Sequence, residues 1–165
     1  MSTKRVLDSY AILAYLNKEK GYEEVKNLLA SENTVLLVND INLGETFYVI
    51  GRARGMEKAE YFVNIILNSL PIQKIANALS DVLEAARIKA RCAIAYADCF
   101  AVATALREGA PIVTGDPEFK KVEDIVQVHS VRERIRERLF LSLSEFLNHM
   151  MREEKSQNYG CENPP

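Results

Sequence analysis

The chain alternates short, strongly apolar runs with longer segments of helical periodicity. Residues 35–38 read VLLV, an unbroken apolar run that is typical of a strand buried on both faces of a sheet. Shorter runs of the same kind precede other segments whose apolar residues recur at helical spacing. Strands that alternate with helices indicate a parallel sheet covered on both sides. The sequence therefore predicts the α/β class, as a three-layer α/β/α domain.

Five strands and six helices are predicted between residues 5 and 128. The strands are expected at residues 5–7, 35–38, 72–75, 112–114 and 125–128. The helices are expected at residues 9–16, 23–29, 41–52, 56–70, 80–90 and 98–107. Asn39 and Asp40 suit the start of the third helix, and Gly109 suits the end of the last one.

One globular domain is predicted over residues 1–130, because 48% hydrophobic content is enough to build a core. Residues 131–154 are expected to form a C-terminal amphipathic helix that packs on this domain or extends it. Its acidic and basic residues alternate, which favours a solvated helix face over a nucleic-acid patch. The polar residues 155–165 are expected to be a flexible tail.

Composition places the chain among ordinary globular proteins. The formal net charge of −2 does not indicate a nucleic-acid binder, although a local basic rim can accompany an acidic pocket. The three cysteines form no CxxC pair, and we therefore expect a reducing, cytoplasmic setting. No apolar stretch approaches the roughly 18 residues needed to span a membrane, so we expect no membrane association.

Two acidic residues follow predicted strands. Asp8 comes directly after the first strand, and Asp116 comes two residues after the fourth. Ligands of open α/β sheets bind beyond the carboxyl ends of the strands, so both are candidate site residues. Helix capping is the alternative, since Asp116 precedes Pro117 and Asp8 precedes a helical segment.

Two further acids interrupt apolar helical faces. Glu45 shares a face with Ile41 and Tyr48, and Asp98 stands in AIAYADCFAVATAL, the most apolar stretch of the chain. Burying an unpaired carboxylate costs several kcal/mol, so such a group must protonate, pair or bind a cation. A buried salt bridge or a cap is the alternative. Because neither acid has an obvious basic partner one helical turn away, we favour a functional role.

If these four acids converge, the repulsion between their negative charges decides whether they can all stay ionised. Two unit charges about 4 Å apart interact by roughly 4 kcal/mol at an effective dielectric constant of about 20. A cluster of carboxylates therefore requires protons or a cation. Oxygen-only sites select hard ions such as Mg²⁺ or Mn²⁺, which act on phosphoryl groups.

Four segments together carry a resemblance to a known family. The segments VLDSYAILAYL, INLGETFY, YADCFAVATAL and IVTGDPEF, in this order, resemble the PIN-domain ribonucleases, and among them most the VapC-type toxins of toxin–antitoxin systems. The likeness extends over residues 4–128. It implies a parallel five-stranded sheet of order 3-2-1-4-5 with an acidic pocket at the carboxyl ends of the strands. It also implies metal-dependent endonucleolytic cleavage of RNA that leaves 3′-hydroxyl and 5′-phosphate ends.

The resemblance also implies residue roles. The catalytic acidic quartet is matched by Asp8, Glu45, Asp98 and Asp116. Asp8, Asp98 and Asp116 would be direct or water-mediated ligands of Mg²⁺ or Mn²⁺, and Glu45 would orient a water or a second ion. Thr114 matches the small hydroxyl residue that stands two positions before the last acid.

Several partners are expected. The resemblance implies an RNA substrate, a small antitoxin protein and a homodimer, with the apolar face of residues 56–70 as a candidate partner surface and core packing as its alternative. The candidate RNA contacts are Arg52, Arg54, Lys58, Lys120 and Lys121. Simple solvent exposure is the alternative for each of these basic residues.

Other functions stay open at this point. The helix expected at residues 132–152 extends beyond the compact form typical of VapC toxins. One alternative is therefore a non-toxin PIN protein that processes RNA. Another is a catalytically inert PIN-fold binding domain whose acids serve as caps and salt bridges.

Overall fold

A five-stranded parallel sheet forms the centre of the computed structural model, which describes residues 2–131. Its strands are β1 (Thr3–Leu7), β2 (Thr34–Asn39), β3 (Ile72–Ile75), β4 (Ile112–Thr114) and β5 (Val128–Ser130). They are hydrogen-bonded in the order β3-β2-β1-β4-β5, and every pair is parallel. The predicted α/β class and the strand order are therefore confirmed.

Helices cover both faces of the sheet, as predicted. They are α1 (Ser9–Asn17), α2 (Tyr22–Leu29), α3 (Asp40–Arg54), α4 (Met56–Asn68), α5 (Leu79–Arg91), α6 (Tyr96–Glu108) and a short 3₁₀ helix at Pro117–Val122. Successive strand residues point to opposite faces, so Val6 joins the core beneath α5 and α6 whereas Leu7 joins the core beneath α1 to α4. This double burial explains the unbroken apolar run VLLV in the central strand β2.

The last strand does not lie where its apolar pattern predicted. The expected strand at residues 125–128 is wrong, because the backbone N–H groups of Ile125 and Val126 both bond to the Val122 carbonyl oxygen in a turn. The chain becomes extended only at Val128, which pairs with Ile112. The apolar side chain of Val126 instead packs in the core below α6.

The apolar face of α4 belongs to the core. Phe62 and Ile66 are almost completely buried in the cluster beneath α1 to α4, so core packing explains this face. The helix and tail expected at residues 131–154 and 155–165 lie outside the described residues, apart from Val131, and remain predictions. Among the helices described between residues 2 and 131, none is long and apolar enough to cross a membrane.

Truncation of Phe62 should test the importance of this core. We expect Phe62→Ala to lower the free energy of unfolding by about 3–5 kcal/mol, because it removes a fully buried ring and leaves a cavity. Leu79 is 71% exposed, and Leu79→Ala should change the stability by less than about 0.5 kcal/mol. Urea titration measures both, and similar losses in the two variants would contradict the assignment of this core.

Candidate functional site

Asp8 and Asp116 are held together at the carboxyl ends of adjacent strands. β1 and β4 pair in parallel, with Leu7 opposite Val113, so Asp8 and Thr114 follow at the same edge of the sheet. The Thr114 hydroxyl is hydrogen-bonded to the Asp8 carboxylate and accepts the Asp116 backbone N–H at 2.9 Å. Thr114, which is 1% exposed, therefore links the two acidic residues.

Both of these acids also cap helices, as the sequence allowed. Asp8 Oδ1 accepts the backbone N–H of Ala11 at 2.8 Å at the start of α1. Asp116 Oδ1 accepts the backbone N–H of Glu118 at 2.8 Å, with Pro117 at the first position of the 3₁₀ helix. Because one oxygen atom makes each cap bond, capping orients the carboxylate without excluding a further ligand.

Asp98 enters the site from the first turn of α6. Its carboxylate is hydrogen-bonded to the backbone of Ala95, the residue that precedes the helix, and its side chain is largely buried. The residues that follow it, Cys99 to Ala105, are all buried. The sequence placed Asp98 correctly within an apolar helix, and the structure adds that it lies beside other carboxylates.

Glu45 reaches the site from α3, but its surroundings differ from the expectation. The stripe containing Ile41 and Tyr48 is not buried, since these side chains are 39% and 49% exposed. The buried face of α3 is formed instead by other residues, Asn42, Leu43, Thr46 and Ile50. Glu45 is partly exposed, and its carboxylate accepts a hydrogen bond from the hydroxyl of Ser9, the residue after Asp8.

The acids affect one another electrostatically. Burial raises the pKa of Asp8 to about 7, and the charges of Asp98 and Asp116 contribute to this rise, whereas hydrogen bonds from Thr114 and Ala11 oppose it. Burial likewise raises the pKa of Asp98 to about 7, followed in importance by the charges of Glu45 and Asp116. The four acids predicted from the sequence thus come together at one edge of the sheet.

Two residues of this site were missed by the sequence analysis. Ser9 supplies the hydroxyl that binds Glu45, and Glu118 adds a fifth carboxylate whose charge raises the pKa of Asp98. Glu118 stands two residues after Asp116, at the start of the 3₁₀ helix. Closeness in sequence to Asp8 and Asp116 was the available signal for both residues. Only the structure shows that the Ser9 hydroxyl bonds to Glu45 and that the charge of Glu118 acts on Asp98.

The donor chemistry suits a hard divalent ion. The converging side chains offer carboxylate and hydroxyl oxygens, which are the ligands that Mg²⁺ and Mn²⁺ prefer. A bound cation would also neutralise the mutual repulsion of the acids. Within residues 2–131, however, no three His, Cys, Asp or Glu side chains are arranged as a ready ligand group. Metal binding would therefore require the carboxylates to approach one another more closely.

The predicted basic residues lie on three elements, α3, α4 and the 3₁₀ helix. Arg52 and Arg54 are exposed in the last turn of α3, Lys58 is in the first turn of α4, and Lys120 is exposed in the 3₁₀ helix. Lys121 is already engaged, because its ammonium group donates to the Ala93 carbonyl oxygen at 2.8 Å and pairs with Glu118 at 3.1 Å. Their part in RNA binding stays a prediction.

This chain belongs to the PIN domain family, whose sequence model matches residues 5–125. Its fold is similar to that of the Mycobacterium tuberculosis toxin VapC20, described as cleaving the sarcin–ricin loop. The two are 20% identical, the match covers 70% of this chain and 92% of that chain, and the TM-score is 0.61. VapBC2 from Rickettsia felis, bound to a fragment of its promoter DNA, is 19% identical over 78% of this chain and 98% of that chain, with a TM-score of 0.63.

A third similar structure is FitAcB from Neisseria gonorrhoeae. It is 19% identical, the match covers 77% of this chain and 97% of that chain, and the TM-score is 0.59. No curated protein matches the sequence. At these identities the solved structures establish a shared fold, the one that VapC toxins adopt.

The metal-free protein should lose stability as the pH rises through the range in which its buried acids ionise. Asp8 and Asp98 have pKa values of about 7 when folded and 3.8 in the reference state, so the folded state retains protons that the unfolded chain has released. The free energy of unfolding should therefore fall between about pH 4 and about pH 7. Urea titrations in EDTA across this range measure the effect. Asp8→Asn should flatten the slope and the exposed control Asp124→Asn should not, so parallel slopes for wild type and Asp8→Asn would contradict the explanation.

Gly115 is required by the close approach of Tyr10. A Cβ atom added at Gly115 would clash with Cε1 of the Tyr10 ring, whereas one added at Gly44 in α3 would meet nothing within 4 Å. We expect Gly115→Ala to destabilise the protein by about 1–3 kcal/mol through overpacking, and Gly44→Ala to stabilise it slightly. Thermal unfolding measures both. In a Tyr10→Ala background Gly115→Ala should cost much less than in wild type, and an equal loss in both backgrounds would exclude the clash as its cause.

Proposed function

We propose that this chain is a metal-dependent endoribonuclease that hydrolyses RNA phosphodiester bonds. The observation that carries the proposal is the convergence, in a PIN-domain chain, of carboxylates from four separate segments at the carboxyl edge of the sheet. Asp8, Asp98 and Asp116 are the proposed ligands of Mg²⁺ or Mn²⁺, and Glu45 completes the catalytic set. Asp8 and Asp98 are buried beside further carboxylates, and a bound cation would keep them ionised near neutral pH.

Each residue has a distinct proposed task. Asp8 and Asp116 are oriented by their cap bonds and by Thr114, so their remaining oxygen lone pairs are available to an ion. A bound divalent ion would polarise the phosphate and lower the pKa of a water molecule. Glu45, held by the Ser9 hydroxyl, would accept a hydrogen bond from the attacking water at a carboxylate oxygen. The products would carry 3′-hydroxyl and 5′-phosphate ends.

The rim around the acids has features suited to a nucleic-acid chain. Tyr48 on α3 and Tyr96 in the first turn of α6 are 49% and 45% exposed, and exposed aromatic rings can stack on unpaired bases. Arg52 lies seven residues beyond Glu45 in the same helix, about 10 Å along its axis, where it can meet a flanking phosphate. We include Arg54, Lys58, Lys120 and Lys121 as further proposed backbone contacts.

A role as a toxin extends this proposal. Two similar structures are described in these terms, a toxin–antitoxin complex from Klebsiella pneumoniae and VapBC-5 from Mycobacterium tuberculosis, a member of the VapBC family of toxin–antitoxin systems. By this likeness we propose a small antitoxin as a partner, a homodimer and a cytoplasmic site of action. Leu79 and Leu83, one turn apart on α5, are 71% and 48% exposed, which suits a protein–protein contact. A non-toxin RNA-processing protein is the alternative, and a neighbouring reading frame for a small DNA-binding protein would favour the toxin.

One observation favours a second candidate. Because the described acids form no ready ligand group, a catalytically inert PIN-fold binding domain is the competing proposal. The two proposals differ in metal binding. Calorimetric titration with Mn²⁺ discriminates them, since an inert domain would show neither binding heat nor a gain in thermal stability.

Cleavage of labelled RNA by the purified protein tests the proposed activity. We expect cleavage with Mn²⁺, none with EDTA, and a rate at least about 100-fold lower for Asp98→Asn, equivalent to about 2.7 kcal/mol of transition-state stabilisation. The exposed acid Asp124 provides the matched control, and Asp124→Asn should cleave at the wild-type rate. Circular dichroism checks that both variants are folded. Cleavage that persists in EDTA and in Asp98→Asn would exclude the mechanism.

A further inference from the structure

We propose that Asn42 is a positioning residue, whose buried side-chain amide links α3 to α6 and thereby sets the placement of Glu45 relative to Asp98. This inference rests on the proposed nuclease function, because it concerns the geometry of the same acids. Asn42 itself is fully buried, and its side chain is hydrogen-bonded to Asn39 and to the backbone of Ala97. Its contacts belong to a polar network inside an otherwise apolar core.

The network begins at the carboxyl end of β2. Asn39, the last residue of this strand, caps α3 by accepting the Asn42 backbone N–H at 2.9 Å through its Oδ1 atom. Its amide nitrogen donates to Asn42 Oδ1 at 2.6 Å and to Thr104 Oγ1 at 3.2 Å. Asn39, Asn42 and Thr104 are all completely buried, so no solvent competes for these bonds.

One bond of the network reaches the segment that carries an acid of the site. Asn42 Nδ2 donates to the carbonyl oxygen of Ala97 at 3.2 Å, and Ala97 directly precedes Asp98 in the first turn of α6. Asn42 also stands three residues before Glu45, one helical turn away on α3. A single side chain therefore connects the backbone beside Asp98 with the helical turn that presents Glu45.

Electrostatics makes such a connection useful. The charge of Glu45 raises the pKa of Asp98, so the two acids repel each other when both are ionised. Repulsion favours separation of α3 from α6, and apolar packing alone has little directionality to resist a small shift. A buried amide has strict requirements for distance and angle, so it holds the two helices in one relative position.

Thr104 provides a matched control within the same network. It lies two turns further along α6, where its hydroxyl donates to the Phe100 carbonyl oxygen at 2.7 Å and accepts from Asn39. Thr104→Val keeps the side-chain shape and removes these bonds while leaving the Asn42–Ala97 contact intact. Leucine has the same branching and the same number of side-chain heavy atoms as asparagine, and Asn42→Leu removes the Ala97 contact. Both variants remove buried polar bonds, but only one releases the backbone beside Asp98.

The experiment compares wild type, Asn42→Leu and Thr104→Val in the full chain by three measurements. Calorimetry gives the Kd for Mn²⁺, steady-state cleavage gives kcat and KM, and hydrogen exchange in EDTA reports the amides at residues 96–102. We expect Asn42→Leu to weaken Mn²⁺ binding by about 10- to 100-fold, as loss of a residue supporting metal ligands commonly does. Its kcat should fall with KM within about threefold of wild type, and its amides at the start of α6 should exchange faster. Thr104→Val should keep the Kd for Mn²⁺ within about threefold of wild type, even if its Tm falls as much as the Tm of Asn42→Leu.

The outcomes separate this inference from the proposed function. Wild-type Mn²⁺ affinity in Asn42→Leu, or equal weakening in both variants, would overturn the positioning role while leaving the nuclease proposal in place. If wild type itself neither binds Mn²⁺ nor cleaves RNA, the nuclease proposal fails. In that case hydrogen exchange by itself tests the positioning role of Asn42. Equal exchange rates at the start of α6 in Asn42→Leu and Thr104→Val would overturn that role.

Discussion

The burial of like charges at one edge of a parallel sheet is the constraint on which this site depends. Asp8 and Asp98 are almost inaccessible to water, and burial together with neighbouring carboxylates raises the pKa of each to about 7. Such a group of acids tends to take up protons or to move apart. Hydrogen bonds from Thr114 and from the Ala11 and Ala95 backbone oppose this tendency, because they favour the ionised forms of Asp8 and Asp98. The Ser9 hydroxyl orients the Glu45 carboxylate.

The parallel fold explains how acids distant in sequence meet. β1 and β4 are neighbours and run in the same direction, so the residues that follow them leave the sheet at one edge. α3 and α6 begin at this edge as well, each with an acid in its early turns. Capping adds precision, because a helix N-terminus supplies backbone donors that point along the axis towards the acids. The cap role and the site role of Asp8 and Asp116 are therefore complementary.

Much of this arrangement was predictable from local patterns, and the errors share one cause. The period of the apolar residues identified the strands and helices, and unpaired carboxylates in apolar segments identified Glu45 and Asp98 as unusual. The pattern failed at residues 125–128, where apolar side chains pack in the core from a turn, and at α3, where Ile41 and Tyr48 face outward. In both places an apolar residue was assumed to lie on a particular face, and only packing partners distant in sequence decide that.

The sequence by itself determined the α/β class, offered caps at Asp8 and Asp116 and singled out four candidate acids, because periodicity, capping chemistry and the cost of burying charge are local properties. Tertiary structure alone decided that these acids meet and that Ser9 and Glu118 join them. It also decided that Asn42 bonds to the backbone before Asp98. The physical reason is that these contacts join segments far apart in the chain, and their distances follow from strand order and helix packing rather than from any spacing in the sequence.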